Sequence, residues 1–576
     1  MTRNFNNKTV PSLVFLPLLL LASVAAAHPG WNQNNGSAEA NVAAMDSVIA
    51  ESAFTENSAK INTEPIDALP VLNNGRIKPL QSLARETILF VSGTFGKWGL
   101  SATQIYLGLA TSKASSDIEI INVRSPELRE QLGFTKKKRF FSLRELESSK
   151  LAEIAEALMP KEQQNSKSLS QAEKDTLEAY HQMWLTQQLV TGEHFARSVD
   201  IAGQTQNAAA GGVSPHNEQL TQLIVAWLGE LAKNPQTGGQ PLASELNAAV
   251  RAQQAPALFQ HQFDNLDLEV SYTNVRPFLV AAVLFFLLGS AMLIPMLKKN
   301  LTVGRVIAAF AVPFFFQVAG FGTRVYITRF APVTSMYGTM LWVSLGVGLF
   351  ALLLFALYRS FTITGILWLG SAAILLLTEN IPLVLNPDMD PIVAVLRSNY
   401  WLTIHVLTIT ISYAAFTVVM LIGNTALVRS CLNFDNQKFN EEYARYAYRM
   451  TQLGVFLLTV GIILGGIWAD YSWGRFWGWD PKETWALIAD IGFLAILHAR
   501  YAGWLDAFGL LAASPIAYLL VIMAWYGVNF ILASGLHSYG FSSGGALAVA
   551  IFVGLQLVLL FIAAFRRLRR LQTTVR

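Results

Sequence analysis

Only one cysteine, Cys431, occurs in 576 residues. That excludes an intrachain disulfide, a C-x-x-C redox pair and a cysteine-rich metal site. Charge is scarce too: Asp, Glu, Lys and Arg make up 14% of the chain, against about a quarter in globular domains. The net charge of +4 is small and points to no nucleic-acid partner. What fills the gap is apolar: 53% hydrophobic residues and a mean hydropathy of +0.38. The shortage of charge falls mostly in the second half, so the chain reads as two parts of different solvent class.

The first part begins with a processing signal. Arg3 and Lys8 precede the apolar run Pro11 to Leu21, and Ala25-Ala26-Ala27 offers small residues for cleavage. Residues 1–27 therefore read as a signal peptide or a signal anchor, and the chain beyond residue 27 reads as exported. Residues 28–60, rich in Asn, Ala and Ser with little hydrophobic pattern, read as a disordered leader. Residues 61–276 read as an exported, mainly helical soluble domain. Within it "LPVLNNGRIKPLQSLARETILF" supplies an Asn-Gly turn followed by a helical pattern. Leu143 to Leu158 and Ala172 to Val190 carry helical periodicity, and "GQTQNAAAGGVSP" and "KNPQTGGQP" read as loops. The basic run Lys136 to Arg139 reads as a solvated face, with anionic lipid as the alternative.

After Pro277 nine apolar segments approach the roughly 20 residues that cross a bilayer. They lie near 277–297, 303–320, 338–357, 362–385, 402–424, 452–469, 484–500, 510–532 and 545–565. The fold class is thus an all-α polytopic membrane protein, with a transmembrane domain over 277–565 and a basic cytoplasmic tail over 566–576. With residues 28–276 outside, the inner loops and tail collect fourteen Lys and Arg, including Arg566, Arg567, Arg569 and Arg570, and the outer loops six. This agrees with the positive-inside rule and with the orientation set by the signal segment.

Of the eight histidines, that topology sorts the seven that follow the leader. His181, His194, His216 and His261 fall in the exported domain without ligand-like spacing and read as surface residues. His405 and His537 fall at the outer ends of the fifth and eighth spans, whereas His498 sits toward the inner end of the seventh. A histidine at a helix end is often just an interfacial polar group. Two on one membrane face are a better candidate site, since ionisable groups near hydrocarbon are costly. Two imidazoles suit a metal that takes neutral nitrogen ligands, and a broad aromatic platform beside them suits haem. The platform is "WGRFWGWDPKETWAL", with Trp473, Trp477, Trp479 and Trp485. Part of this stretch needs no ligand: Asp480 fits a helix N-cap, Pro481 the first helical position and Glu483 the third. The density of tryptophan exceeds what anchoring one loop requires. Arg475 and Lys482 are candidates to meet haem propionates.

"WGRFWGWDPKETWAL" resembles the tryptophan-rich WWD signature of haem-handling membrane proteins, and "WDPKETW" resembles the CcsA/ResC branch of system II cytochrome c biogenesis. "LRSNYWLTIHVLTITISYAAF" and "GVNFILASGLHSYG" resemble that family's two external-histidine segments. "ALIADIGFLAILHAR" resembles its segment with a transmembrane histidine, and "RFAPVTSMYGTM" its outer loop. Together these cover about 277–565. The exported "LPVLNNGRIKPLQSLA" resembles a stretch in fused synthases.

The resemblance implies a component of a cytochrome c haem lyase in the bacterial inner membrane, with the N-terminal domain and the haem site facing the periplasm. Haem b, held non-covalently as substrate, would pass a transmembrane site including His498. It would reach an outer site with His405 and His537 as axial iron ligands and Trp473, Trp477, Trp479, Asp480 and Trp485 beside the ring. There the CxxCH thiols of an apocytochrome c would add to its vinyl groups; this chain has no C-x-x-C-H of its own. Two departures stand out. The family's second transmembrane histidine is absent from this membrane half, which implies a separate ResB-like membrane subunit. The family often carries Glu after the Tyr of its outer loop, where this chain has Tyr337-Gly338. The competing readings are a haem transporter or delivery subunit without ligation activity, and an electron-transfer membrane subunit. The latter would favour histidines stacked along two helices.

Overall fold

The computed structural model describes residues 38–165, 168–210, 218–253, 259–298, 301–391, 398–434, 436–532 and 545–575. The signal segment 1–27, the start of the leader, His216 and His537 lie outside the described residues. The described residues divide into two units, one built of residues 38–274 together with Asp388–Pro391, the other of Val275–Pro387 and the residues from 398 onward.

In the first unit the Asn-Gly turn closes a hairpin. Strands β1 (Pro70–Asn73) and β2 (Arg76–Pro79) pair antiparallel with Asn73 opposite Arg76. Asn74 and Gly75 take φ of 50° and 70°, the left-handed pair that a tight two-residue hairpin requires and that Asn-Gly accommodates. Val71 and Ile77 are fully buried, and the helix Leu80–Ser92 continues the same core through Leu80, Leu83 and Ile88. Arg76, itself buried, meets Glu269 through two 2.7 Å bonds, and Ser82 Oγ donates to the same carboxylate at 2.6 Å. Lys78, also buried, is neutralised by Glu86 at 2.5 Å and Asp390 at 3.3 Å. Two buried cations in one hairpin are tolerable because each is paired.

Several expectations change here. Part of 28–60, which composition reads as a disordered leader, is the helix Ala38–Ala59; Phe54 is 1% exposed and packs edge-on to Trp98 at 5.8 Å, with Ser58 buried nearby. One well-placed aromatic anchors the helix, which a compositional reading does not register. Leu143 to Leu158 is two helices, Leu143–Glu147 and Leu151–Asn165. "GQTQNAAA" lies in the helix Ile201–Ala210 rather than in a loop. His194 is half-buried and bonded to the Tyr106 hydroxyl at 2.7 Å, and burial pulls its pKa down to about 4. Lys136 and Lys138 are paired with Glu130, Glu119 and Glu145, as a solvated face would be.

The second unit is all α. Its helices are α1 (Pro277–Leu293), α2 (Val303–Thr328), α3 (Met336–Tyr358), α4 (Phe361–Asn380), α5 (Asn399–Cys431), α6 (Gln437–Trp473), α7 (Pro481–Tyr501), α8 (Ala507–Leu532) and α9 (Ala546–Val575). Every expected span falls on one of them. Among the described residues, eight helices are long and apolar enough to cross a membrane. The chain is a multi-pass membrane protein. The span expected at 484–500 is the helix α7, which is not among the eight and carries Lys482, Glu483, Asp490, His498 and Arg500. Helix α5 is the hub of the second half, packing along α6, α8 and α9. Phe416 of α5 stacks on Phe493 of α7 with ring centroids 3.8 Å apart.

Candidate functional site

His405 stands near the start of α5, inside a widened π turn, Leu402–Val406. Its Nδ1 lies 2.8 Å from the Gly461 carbonyl oxygen of α6. A carbonyl only accepts, so Nδ1 carries the proton and donates it, which leaves Nε2 as the basic nitrogen. This is the tautomer and supporting bond that orient a metal-ligating imidazole. Two glycines of α6 make the approach possible. A Cβ on Gly461 would sit 2.4 Å from Ile409, and one on Gly465 would sit 2.5 Å from His405 Cε1. One helical turn up α6, Trp468 meets the imidazole edge-on at 5.8 Å.

The tryptophan motif begins where α6 ends. Gly474 closes that helix in the left-handed conformation, with φ 67°, and the chain turns to start α7. Asp480 Oδ1 accepts from the backbone N–H of Lys482 and Glu483 at 2.8 and 3.2 Å. Glu483 reaches back to the Asp480 N–H at 3.3 Å and takes the Gly478 N–H at 2.8 Å. The capping box is therefore complete, and Asp480, buried, works as an N-cap. Arg475 is committed to Glu483 at 3.1 Å, with its guanidinium 5.7 Å from the Trp473 ring.

These bonds hold the loop so that its aromatics are presented. Trp479 is 70% exposed at φ 57°, set perpendicular to Trp477 at 5.7 Å. The indole Nε1 of Trp477 is buried and has no acceptor among the described residues. Trp473 and Trp485 are half-buried. Lys482 crosses to α8, where its Nζ donates to Asn529 Oδ1 at 3.1 Å. Asn529 in turn donates to the Trp525 carbonyl at 2.7 Å and to Met336 Sδ, at the start of α3, at 3.8 Å. The ends of α3, α6, α7 and α8 thus converge, and His405 joins through α6.

Residues 333–537 match the model of the cytochrome c assembly protein family. The chain is 34% identical over 245 residues to the cytochrome c biogenesis protein CcsA of Prochlorococcus marinus (strain MIT 9312), covering 37% of this chain and 77% of that protein. Against CcsA of Guillardia theta it is 34% identical over 252 residues, 38% of this chain and 80% of the other. This chain belongs to the CcsA family. A longer similarity, 29% over 518 residues, links 81% of it to protein NrfI of Wolinella succinogenes and spans about half, 53%, of that relative. The similarity to NrfI thus reaches well beyond the 205 residues of the family match, into the first unit.

Within this CcsA-family frame, His405 and the tryptophan motif share one end of the bundle. His498 is at the other end of α7, about 25 Å from Pro481 at 1.5 Å per residue; it is exposed, and its Nδ1 donates to the Leu494 carbonyl at 2.8 Å. The acid expected beside Tyr337 has a counterpart in space. Glu379 of α4 accepts from the Tyr337 hydroxyl at 2.7 Å and faces Arg276 at 3.4 Å. Gly461, Gly465, Asn529 and Met336 were not expected from the sequence. Asn529, a lone amide in an apolar run, carries the one signal that could have marked it.

Proposed function

We propose that the chain is the haem-presenting component of a cytochrome c haem lyase. Haem b is held as substrate at the end of the bundle that carries His405 and the tryptophan motif. His405 supplies one axial nitrogen and His537 the other. Trp473, Trp477, Trp479 and Trp485 line the ring, and Asp480 fixes the helix start beneath them. The CxxCH thiols of an apocytochrome c then add across the vinyl groups at this exposed edge. This end of the bundle and the N-terminal domain face the periplasm from the bacterial inner membrane. His498 belongs to an earlier stage of haem passage from the other face, completed by a ResB-like membrane subunit.

The observation that carries this reading is the His405 imidazole, pinned through Nδ1 to a backbone carbonyl with Nε2 left basic, in a glycine-lined notch next to Trp468. The residues present fit a flat, metal-centred ligand. The outward Trp479 supplies further aromatic surface, and the Trp477 indole N–H has no acceptor among the described residues. The test is an absorption spectrum of the detergent-purified chain with and without His405→Gly and His537→Gly. A ferrous bis-histidine spectrum, lost in either variant and recovered with imidazole, supports the axial pair; unchanged spectra in both variants remove it. Acid-stable haem formed on a CxxCH apocytochrome then distinguishes ligation from simple haem transport.

A further inference from the structure

Where the start of α7 meets the end of α8, hydrogen-bond donors outnumber acceptors among the described residues. The Lys482 ammonium has three N–H groups, and among the described residues its hydrogen-bond partner is Asn529 Oδ1 alone. Asn529 has no further capacity to offer as a donor: its amide group is engaged by the Trp525 carbonyl and the Met336 sulfur. That fixes its oxygen toward Lys482. In the loop before α7 and on α8, the indole nitrogens of Trp477 and Trp525 are both buried and have no acceptor among the described residues. The carboxylates close at hand are occupied. Glu483 takes Arg475 and two backbone N–H groups, and Asp480 caps α7.

Buried donors without acceptors are costly, and an ammonium with spare N–H groups selects for an anion that accepts several hydrogen bonds. A carboxylate, with two oxygens and about four lone-pair sites, has that chemistry. We propose that Lys482, held in place by Asn529, is the seat of a propionate carboxylate of the bound haem; this rests on the haem reading of the site. Arg475, the other cation of the motif, is a structural strut on Glu483 and takes no part. Asn529 is a positioning residue, aiming the ammonium and tying the motif to the helix that leads to His537.

The experiment is a titration of the purified full-length chain with haem and with its dimethyl ester, in which both propionates are capped. Wild type is expected to favour the free acid by roughly tenfold or more, the range of a charge-assisted hydrogen bond. Lys482→Met brings that preference close to one. Asn529→Asp places a carboxylate on Lys482 while keeping the strut, so it also abolishes the preference, and it guards against a Lys482→Met chain that fails to fold. Equal binding of acid and ester by wild type overturns the inference and leaves the haem site standing. A full preference retained in Asn529→Asp likewise overturns it. If wild type binds neither compound, the haem reading falls and the propionate seat with it.

Discussion

Gly465→Ala puts the His405 notch to a quantitative test. The new methyl would lie 2.5 Å from Cε1, 3.0 Å from Nδ1 and 3.2 Å from Nε2 of the imidazole, well inside the ~3.5–4 Å optimum between carbon atoms. The ring must move by about 1 Å. In moving, it gives up the 2.8 Å bond to the Gly461 carbonyl, worth about 1 kcal/mol, and leaves its rotamer well at a further cost of about 1 kcal/mol. The sum, about 2 kcal/mol, corresponds to roughly thirty-fold weaker haem retention. Stability should not fall in step, since Gly→Ala inside a helix is favourable by about 1 kcal/mol. Haem titration monitored at the Soret band, alongside thermal unfolding in detergent, separates the two effects. The same substitution in a His405→Gly background supplied with imidazole should cost less than about threefold, because the clashing ring is gone. An equal loss in both backgrounds, or no loss in wild type, would refute an effect through His405.

Asp480→Asn keeps an N-cap acceptor and is expected to leave unfolding temperature and haem content nearly unchanged, whereas Asp480→Ala lowers stability by about 1 kcal/mol; a large haem loss in the Asn variant would make the carboxylate a haem contact rather than a cap. Glu269→Gln strands the buried Arg76 cation and should destabilise the first unit by about 3–5 kcal/mol, measurable as earlier proteolysis of that unit in the full chain. His194 has its folded pKa depressed to about 4 from 6.5, so its neutral form stabilises the fold. That contribution is complete above pH 6.5 and is lost as pH falls toward 4, by up to about 3 kcal/mol. His194→Gln should therefore show a shallower fall in unfolding temperature between pH 7 and 4.5 than wild type, and parallel curves would count against the assignment.

What could be read from the sequence was mostly local. "NNG" dictates a left-handed pair of residues and closes the β1–β2 hairpin, and "DPKE" dictates a capped helix start at Pro481; both need only neighbours within five residues. The apolar spans are legible for the same reason, since length and hydropathy are local sums. Contacts made over long separations were not legible. Phe54 anchors an Ala-rich helix only because Trp98 is there to meet it. Lys482 and Asn529 are 47 residues apart, and nothing in either segment announces the pairing. Lys482 and Arg475 are equivalent in sequence as partners for an anion, and only the structure distinguishes them, because Glu483 holds the arginine. The notch at His405 depends on Gly461 and Gly465, two of several glycines in α6, and only the crossing of α5 with α6 distinguishes them.

The motif divides its chemistry between architecture and presentation. Asp480, Glu483 and Arg475 satisfy one another and the free N–H groups at the start of α7, so the charges that make "WDPKETW" conspicuous are largely consumed in building a rigid turn. Rigidity there has a purpose only if something else in the turn must be held still. Among the described residues, what remains unconsumed is the exposed Trp479, the indole N–H of Trp477 and the surplus donors of Lys482. The backbone adds to this on both helices that lead to a candidate ligand: α5 carries a π turn at Leu402–Val406 around His405, and α8 another at Met523–Leu532, five residues short of His537. A π turn departs from regular helical hydrogen bonding and is frequent at functional sites. Here each one alters the face that its helix end presents, and at His405 the change is met by glycine on α6. Irregular backbone, glycine in place of larger side chains and spare donors coincide at one end of the bundle, and that coincidence is what the proposed haem site requires.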